Sequence, residues 1–210
     1  AWPSAYTESI REDLVDLRAN GPFTLGGRTH EAVVGAFWSR SRIGEQSVFG
    51  SSLYAPFAGT SAFDGSLPEP VFNIPGGGSN FTDRQRSAFA TVRFNPADAW
   101  KLIFGANLTT VESSGTSYGV DQSKSESNTT PYAGVTYALT PATTLYASHT
   151  TIFKPQVERD PSLNRLDPVR GSNSEIGLKA DLFGGKALGT VALFRTRQEN
   201  LASQVGSVGA

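Results

Sequence analysis

Between Glu175 and Leu182 the chain alternates without a break: Ile176, Leu178, Ala180 and Leu182 on one side, Glu175, Gly177, Lys179 and Asp181 on the other. Side chains on a strand point to opposite faces with period two, so this pattern predicts a strand with one greasy and one charged face. Gly184-Gly185-Lys186 follows as a tight turn, because glycine reaches positive φ without steric cost. Ala187 to Arg197 then runs back as a second strand with less cleanly sorted faces. Such a greasy face either covers a soluble core or meets lipid, and the remainder of the chain decides between them.

The same alternation recurs upstream. A first strand is expected from about Asp13 to Thr24, although IREDLVDLR also fits an amphipathic helical turn. After Gly26-Gly27, Thr29 to Arg42 carries His30, Ala32, Val34, Ala36 and Trp38 on one face. Ile43 to Phe81 is expected to be a long irregular segment, with Gly76-Gly77-Gly78 as a flexible loop. Arg84 to Phe94 and Trp100 to Thr110 form a hairpin around Asn95-Pro96-Ala97-Asp98. A serine-rich polar loop, Glu112 to Asn128, leads to Thr130 to Leu139, a turn at Thr140-Pro141-Ala142, and Thr144 to Phe153. The greasy side of that last strand is open between Leu145 with Phe153 and Tyr146 with Ile152. Lys154 to Ser172 is a further polar loop.

About eight strands of about ten residues therefore alternate between short turns and long polar loops, as in an up-and-down sheet whose turns all lie at one end. About ten tilted residues also suffice to cross a bilayer as a strand. Aromatic residues sit where a membrane interface would place them: Phe94 and Trp100 around one short turn, Tyr137 and Tyr146 around the next, Phe183 before the Gly184 turn, and Trp38 and Phe153 at the loop ends. The expected fold is all-β, a curved antiparallel up-and-down sheet forming part of a larger transmembrane β-barrel. No apolar run approaches the ~20 residues of a spanning helix, which says nothing against a barrel.

Composition narrows function by exclusion. A formal net charge of −1 gives no bulk attraction to nucleic acid. Cysteine is absent, which removes disulfide frameworks and thiolate metal sites, and His30 and His149 are the two histidines. No Ser-His-acid order, clustered metal ligands or phosphate-cradling loop points to an enzyme, a metal site or a resident cofactor. The chain begins Ala-Trp-Pro with no initiator, which suggests an internal piece of a longer protein.

Several stretches resemble one family. The run PYAGVTYALTPATTLYASHTTIFKPQ (Pro131 to Gln156), then RLDPVRGSNSEIGLKADLFGGKALGTVALFRTRQENLA (Arg165 to Ala202), is similar to the barrel of TonB-dependent siderophore receptors. GRTHEAVVGA (Gly27 to Ala36) and FNPADAWKLIFGAN (Phe94 to Asn107) share the likeness. The resemblance implies an outer-membrane importer of ferric siderophores, energised through the TonB complex and embedded in outer-membrane lipid. Such barrels have about 22 strands around a plug. Residues 1–210 would then be a partial barrel domain, with the plug and terminal strands absent and the sheet unclosed.

By analogy with that family, ligand contact falls to loop aromatics and polar groups near the loop-side mouth: Tyr54, Phe57, Phe72, Phe81, Tyr118 and Gln156. The plainer alternative is that these rings pack the loops on one another. Arg159, Arg165 and Arg170 suit an anionic chelate, or are simply solvated loop charge. Two other functions compete with the importer: a passive outer-membrane porin, and a soluble β-sandwich binding module whose greasy faces pack on a second sheet.

Overall fold

The computed structural model describes residues 3–50 and 71–204. Nine strands follow in order: β1 (Ser4–Leu25), β2 (Arg28–Gly50), β3 (Phe72–Ala97), β4 (Trp100–Ser117), β5 (Val120–Asp121), β6 (Lys124–Thr140), β7 (Thr143–Lys154), β8 (Val169–Leu182) and β9 (Ala187–Glu199). They form one sheet in the order β1-β2-β3-β4-β6-β7-β8-β9, with β5 pairing on β4. Neighbours in sequence are neighbours in the sheet, as an up-and-down meander requires. Among the described residues no ladder joins β1 to β9, so each keeps an unpaired edge.

The expected eight strands are present, and the ninth is the two-residue β5. The larger correction is length. β2 runs 23 residues and β3 26, so Ile43 to Gly50 and Phe72 to Phe81 of the segment expected to be irregular are strand, while its middle, 51–70, lies outside the described residues. β1 begins at Ser4, and IREDLVDLR is extended, not helical. Trp38 accordingly lies within β2, not at its loop end. The Glu112–Asn128 stretch is a hairpin, in which Tyr118 (φ 48) and Gly119 (φ 78) turn the chain and Thr116 and Ser117 pair with Asp121 and Val120. These stretches are polar on both faces, so the alternation that identifies a half-buried strand is missing from them.

The described chain divides into two compact units. The first comprises Ala1–Asp13, Arg40–Arg84 and Glu112–Lys124, the second Leu14–Ser39, Gln85–Val111 and Ser125–Ala210. In the second unit, register settles which faces agree. Ile176 and Leu178 of β8 stand opposite Leu193 and Val191 of β9, and opposite Ala147 and Leu145 of β7. Val135 and Tyr137 of β6 in turn oppose Ala147 and Leu145. One apolar face thus crosses four strands, and it assigns Leu145 with Phe153 to the greasy side of β7. The composition of β7, TTLYASHTTIFK, is rich in the β-branched and aromatic residues that favour a pleated surface.

The opposite face is polar and furnished differently. The Tyr146 ring lies across Gly177, where a Cβ would come within 2.6 Å of Cζ. Its hydroxyl donates to Glu175, and the Lys179 ammonium sits 4.9 Å from the ring centroid. Tyr132 lies over Gly105 in the same manner, its hydroxyl bonded to Thr91. Arg93 pairs with Glu31.

No described residue covers the apolar face. Among the described residues Val169 is the sole buried hydrophobic, whereas Ile176 is 51% exposed and Leu193 74%. Each large aliphatic side chain left in water forgoes about 1.5–3 kcal/mol. A β-sandwich would pack this face against a second sheet about 10 Å away. Among the described residues no second sheet packs on this one.

His30 is the exception on the greasy side, at 1% exposure. Its Nε2 donates to the Leu25 carbonyl at 3.0 Å, and its Nδ1 accepts from the Asn95 N–H at 2.9 Å, which assigns the Nε2–H tautomer. Phe94 stacks on it at 4.2 Å, and Phe23 meets it tilted at 5.2 Å. It ties the β1–β2 turn to the end of β3. His30→Ala removes a buried ring and its bonds to two part-buried backbone groups and should cost about 1–3 kcal/mol. Urea unfolding checks this, with His149→Ala expected within about 0.5 kcal/mol of wild type.

Candidate ligand site at the loop end

The first unit gathers the far ends of β2, β3 and β4 into a hydrogen-bonded cluster. The Glu45 carboxylate accepts from the Tyr118 hydroxyl at 2.6 Å and from the Ser79 hydroxyl at 3.3 Å. Ser79 and Ser117 share a hydrogen bond of 2.8 Å, and Ser47 donates to the Gly77 carbonyl at 3.0 Å. Ser47 and Ser79 are buried, so these bonds replace water that the hydroxyls have lost. The Tyr118 N–H donates to the Gly78 carbonyl at 2.8 Å.

Gly76-Gly77-Gly78 is strand, not flexible loop. Each position is pressed by a neighbour: a Cβ on Gly76 would lie 2.6 Å from the Phe49 ring, one on Gly77 3.3 Å from the Tyr118 ring, and one on Gly78 would run into the Glu45 carbonyl. The triplet strips side chains from β3 so that β2 and the Tyr118 turn can close on it.

Beside the cluster runs an open groove of about 600 Å³, lined among others by Thr7, Ser9, Glu45, Ser79, Asn80 and Thr116. Hydroxyls, the Gln46 and Asn80 amides and one carboxylate, with the Tyr118 and Phe49 rings near by, suit a bulky polar ligand held by several hydrogen bonds and aromatic surface. The Glu45 carboxylate, followed by burial, holds the Tyr118 phenol above its ordinary pKa. At neutral pH Tyr118 is therefore a hydrogen-bond donor, not a phenolate.

Of the ligand residues expected from sequence, Tyr118 enters this cluster. Phe72 and Phe81 lie half-buried on β3, Phe81 backing onto Gly115. Tyr54 and Phe57 lie outside the described residues. Gln156 belongs to the second unit, where it is buried and its amide nitrogen donates to the Asp167 carbonyl and, at 2.9 Å, to that of Asn200. Asn200 returns a bond to the Pro168 carbonyl at 3.1 Å. Arg165 donates to the Gln156 carbonyl at 3.2 Å and Arg159 to that of Leu163 at 2.5 Å. Gln156 and Asn200 thus fasten the 155–168 connection to the end of β9, and the two arginines brace the connection internally.

Glu45, Ser47, Ser79 and Ser117 escaped the sequence reading. The available signal was the spacing of Glu45, Ser47 and Phe49 at every second residue, continuing the polar side of β2.

Asp160 anchors the tip of the 155–168 connection, accepting the backbone N–H groups of Ser162 and Asn164 at 2.9 Å each. The Asn164 bond is the main cause of a carboxyl pKa below its ordinary value. The bonded carboxylate thus stabilises the tip fully above the ordinary carboxylate range, and that contribution is lost as pH falls through the lower folded value. Amide exchange at Ser162 and Asn164, corrected for intrinsic rates, should accelerate on acidification in wild type. In Asp160→Ala it should be fast throughout.

The TonB dependent receptor-like, beta-barrel family matches residues 4–210. The ferric-pyoverdine BN7/BN8 receptor of Pseudomonas putida is 36% identical over 216 residues, covering 95% of this chain and 26% of that protein. The crystal structure of the ferripyoverdine receptor of the Pseudomonas aeruginosa outer membrane, bound to ferripyoverdine, superposes with a TM-score of 0.83 at 30% identity, covering 96% of this chain and 27% of that one. The alcaligin outer membrane receptor of Bordetella pertussis gives a TM-score of 0.73 at 28% identity, with coverages of 97% and 32%. The chain spans about a quarter of the length of the curated relatives it matches.

Proposed function

The chain belongs to the TonB-dependent receptor family, in its β-barrel part, and from that premise we propose that it is a stretch of wall in an outer-membrane receptor importing ferric siderophores of the pyoverdine class. One observation carries the reading: a single uncovered apolar face crosses β6 to β9, while the other face bears Tyr146, Glu175 and Lys179. A wall between lipid and an aqueous lumen needs that division. The Glu45–Ser79–Tyr118 cluster, with Phe72, Phe81, Tyr54 and Phe57, serves as part of the mouth that meets the chelate. Import is energised through TonB, and the plug and the TonB contact are assigned to other parts of the parent receptor.

The test uses the complete parent receptor, expressed in a strain lacking its own siderophore receptors. Uptake of radio-iron supplied as a ferric pyoverdine should be saturable and should vanish when TonB is deleted. Non-saturable uptake that persists without TonB would instead identify a passive porin.

A further inference from the structure

In the first unit, the loop-end groove carries a charge that can discriminate between chelates. Among the described residues that line it, Glu45 alone is charged. The groove itself is built by the buried Ser47 and Ser79 hydroxyls and the Tyr118 and Phe49 rings, and Glu45 gives it a sign. The Glu45 carboxylate receives hydrogen bonds from the Tyr118 and Ser79 hydroxyls, and both donors are neutral. An ionised carboxylate has about four acceptor positions, so about half of that capacity and all of the charge are unanswered by described residues.

Strand alternation keeps the nearby arginines off this face. Arg42 pairs with Asp13 at 3.6 Å, and Arg40 lies near enough to Arg42, Arg84 and Asp13 to feel their charges, so these side chains share one side of the sheet. Glu45 is three residues beyond Arg42 on β2, and Asp83 adjoins Arg84 on β3, which places both carboxylates on the other side. Glu8 on β1 differs in parity from Asp13 and falls with them. Among the described residues of β1 to β4 in this unit, no lysine or arginine shares the Glu45 side. Arg159, Arg165 and Arg170, which the sequence offers to an anionic chelate, belong to the second unit. The first two brace the 155–168 connection, and Arg170 has the parity of Ile176 on the apolar side of β8.

We propose that Glu45 makes this groove selective for ferric chelates whose organic part carries a cationic side chain, an ammonium or guanidinium group, over neutral or anionic ones. The inference rests on the loop-end groove being where the receptor meets its chelate. The cation donates to the Glu45 acceptor positions that Tyr118 and Ser79 leave open, a charge-assisted bond about twice as strong as a neutral one. The faces of the Tyr118 and Phe49 rings attract the same sign. Because Tyr118 and Ser79 already hold the carboxylate, little side-chain freedom is lost when the cation arrives. A carboxylate-rich chelate meets like charge instead.

The complete parent receptor in detergent is titrated with a ferric pyoverdine bearing a single lysine, and with the same chelate acetylated on that lysine. Acetylation removes the charge and leaves the iron centre as it was. Read by fluorescence quenching, wild type should bind the amine form about tenfold more tightly at low salt, and the ratio should shrink as salt is raised. Glu45→Gln, whose amide oxygen still accepts from Tyr118, should bring the two affinities to within about twofold of each other. Equal wild-type affinities for the two forms would overturn the proposal and leave the import reading intact. An unchanged ratio in the folded Glu45→Gln variant, the mark of a merely structural role, would do the same. Wild type that binds neither form would overturn both.

Discussion

Replacing Leu178 by arginine is expected to cost about 2–4 kcal/mol of barrel stability and to cut the yield of folded receptor in the membrane. The magnitude follows from depth. Leu178 lies five residues from Phe183, the ring at the short turn that ends β8. At about 3.3 Å per residue and a tilt near 45°, that separation is about 12 Å, half of an apolar band about 25 Å tall. Its cross-strand neighbours Leu145 and Val191 are apolar, so an arginine there finds no partner on either side. Thr190→Arg provides the contrast. Thr190 stands opposite Lys179 on the polar face, where a further charge meets lumen water and should cost well under about 1 kcal/mol. Urea titration of the complete receptor in lipid vesicles measures both.

The second large effect belongs to the loop end. Gly78→Ala would drive a methyl group into the Glu45 backbone carbonyl, which cannot swing aside as a side chain does. Forcing β2 and β3 apart should cost about 1–3 kcal/mol. It would also disturb the Tyr118 N–H bond to Gly78 and with it the Tyr118–Glu45 contact. With that contact displaced, ferric-siderophore binding by the folded variant should weaken. Gly21→Ala is the control: no described atom lies within 4 Å of its added methyl, and it does not line the groove. Fluorescence quenching on binding of the chelate separates the two variants.

Where one face of a strand meets lipid and the other water, sequence was a sufficient guide. The alternation from Glu175 to Leu182, the Gly26-Gly27 turn and the Phe94–Trp100 hairpin all lie as the residues predict. Legibility stopped where both faces are wet. The outer reaches of β2, β3 and β4 carry serine, glycine and glutamate on either side, so no periodicity marks them as strand, and the Glu45–Ser79–Tyr118 cluster lies there. β7 defeated the reading for another reason: Tyr146 is an aromatic ring on the polar side, accommodated by Gly177 on the adjacent strand. Only cross-strand register reveals that pairing. His30 resembled one more residue of a greasy face, and its role depends on the Leu25 and Asn95 backbone groups that folding brings to it.

The account stands or falls on which side of β8 and β9 meets hydrocarbon. These 210 residues contain no cysteine, so single cysteines at positions 176, 178, 191 and 193, and at 175, 179 and 190, can each carry a nitroxide in the otherwise intact receptor reconstituted in lipid. Relaxation by oxygen should dominate at the first four positions and relaxation by a water-soluble nickel chelate at the other three, alternating residue by residue. Uniformly low accessibility at the first four, as in a packed protein interior, or the reverse alternation would contradict the account.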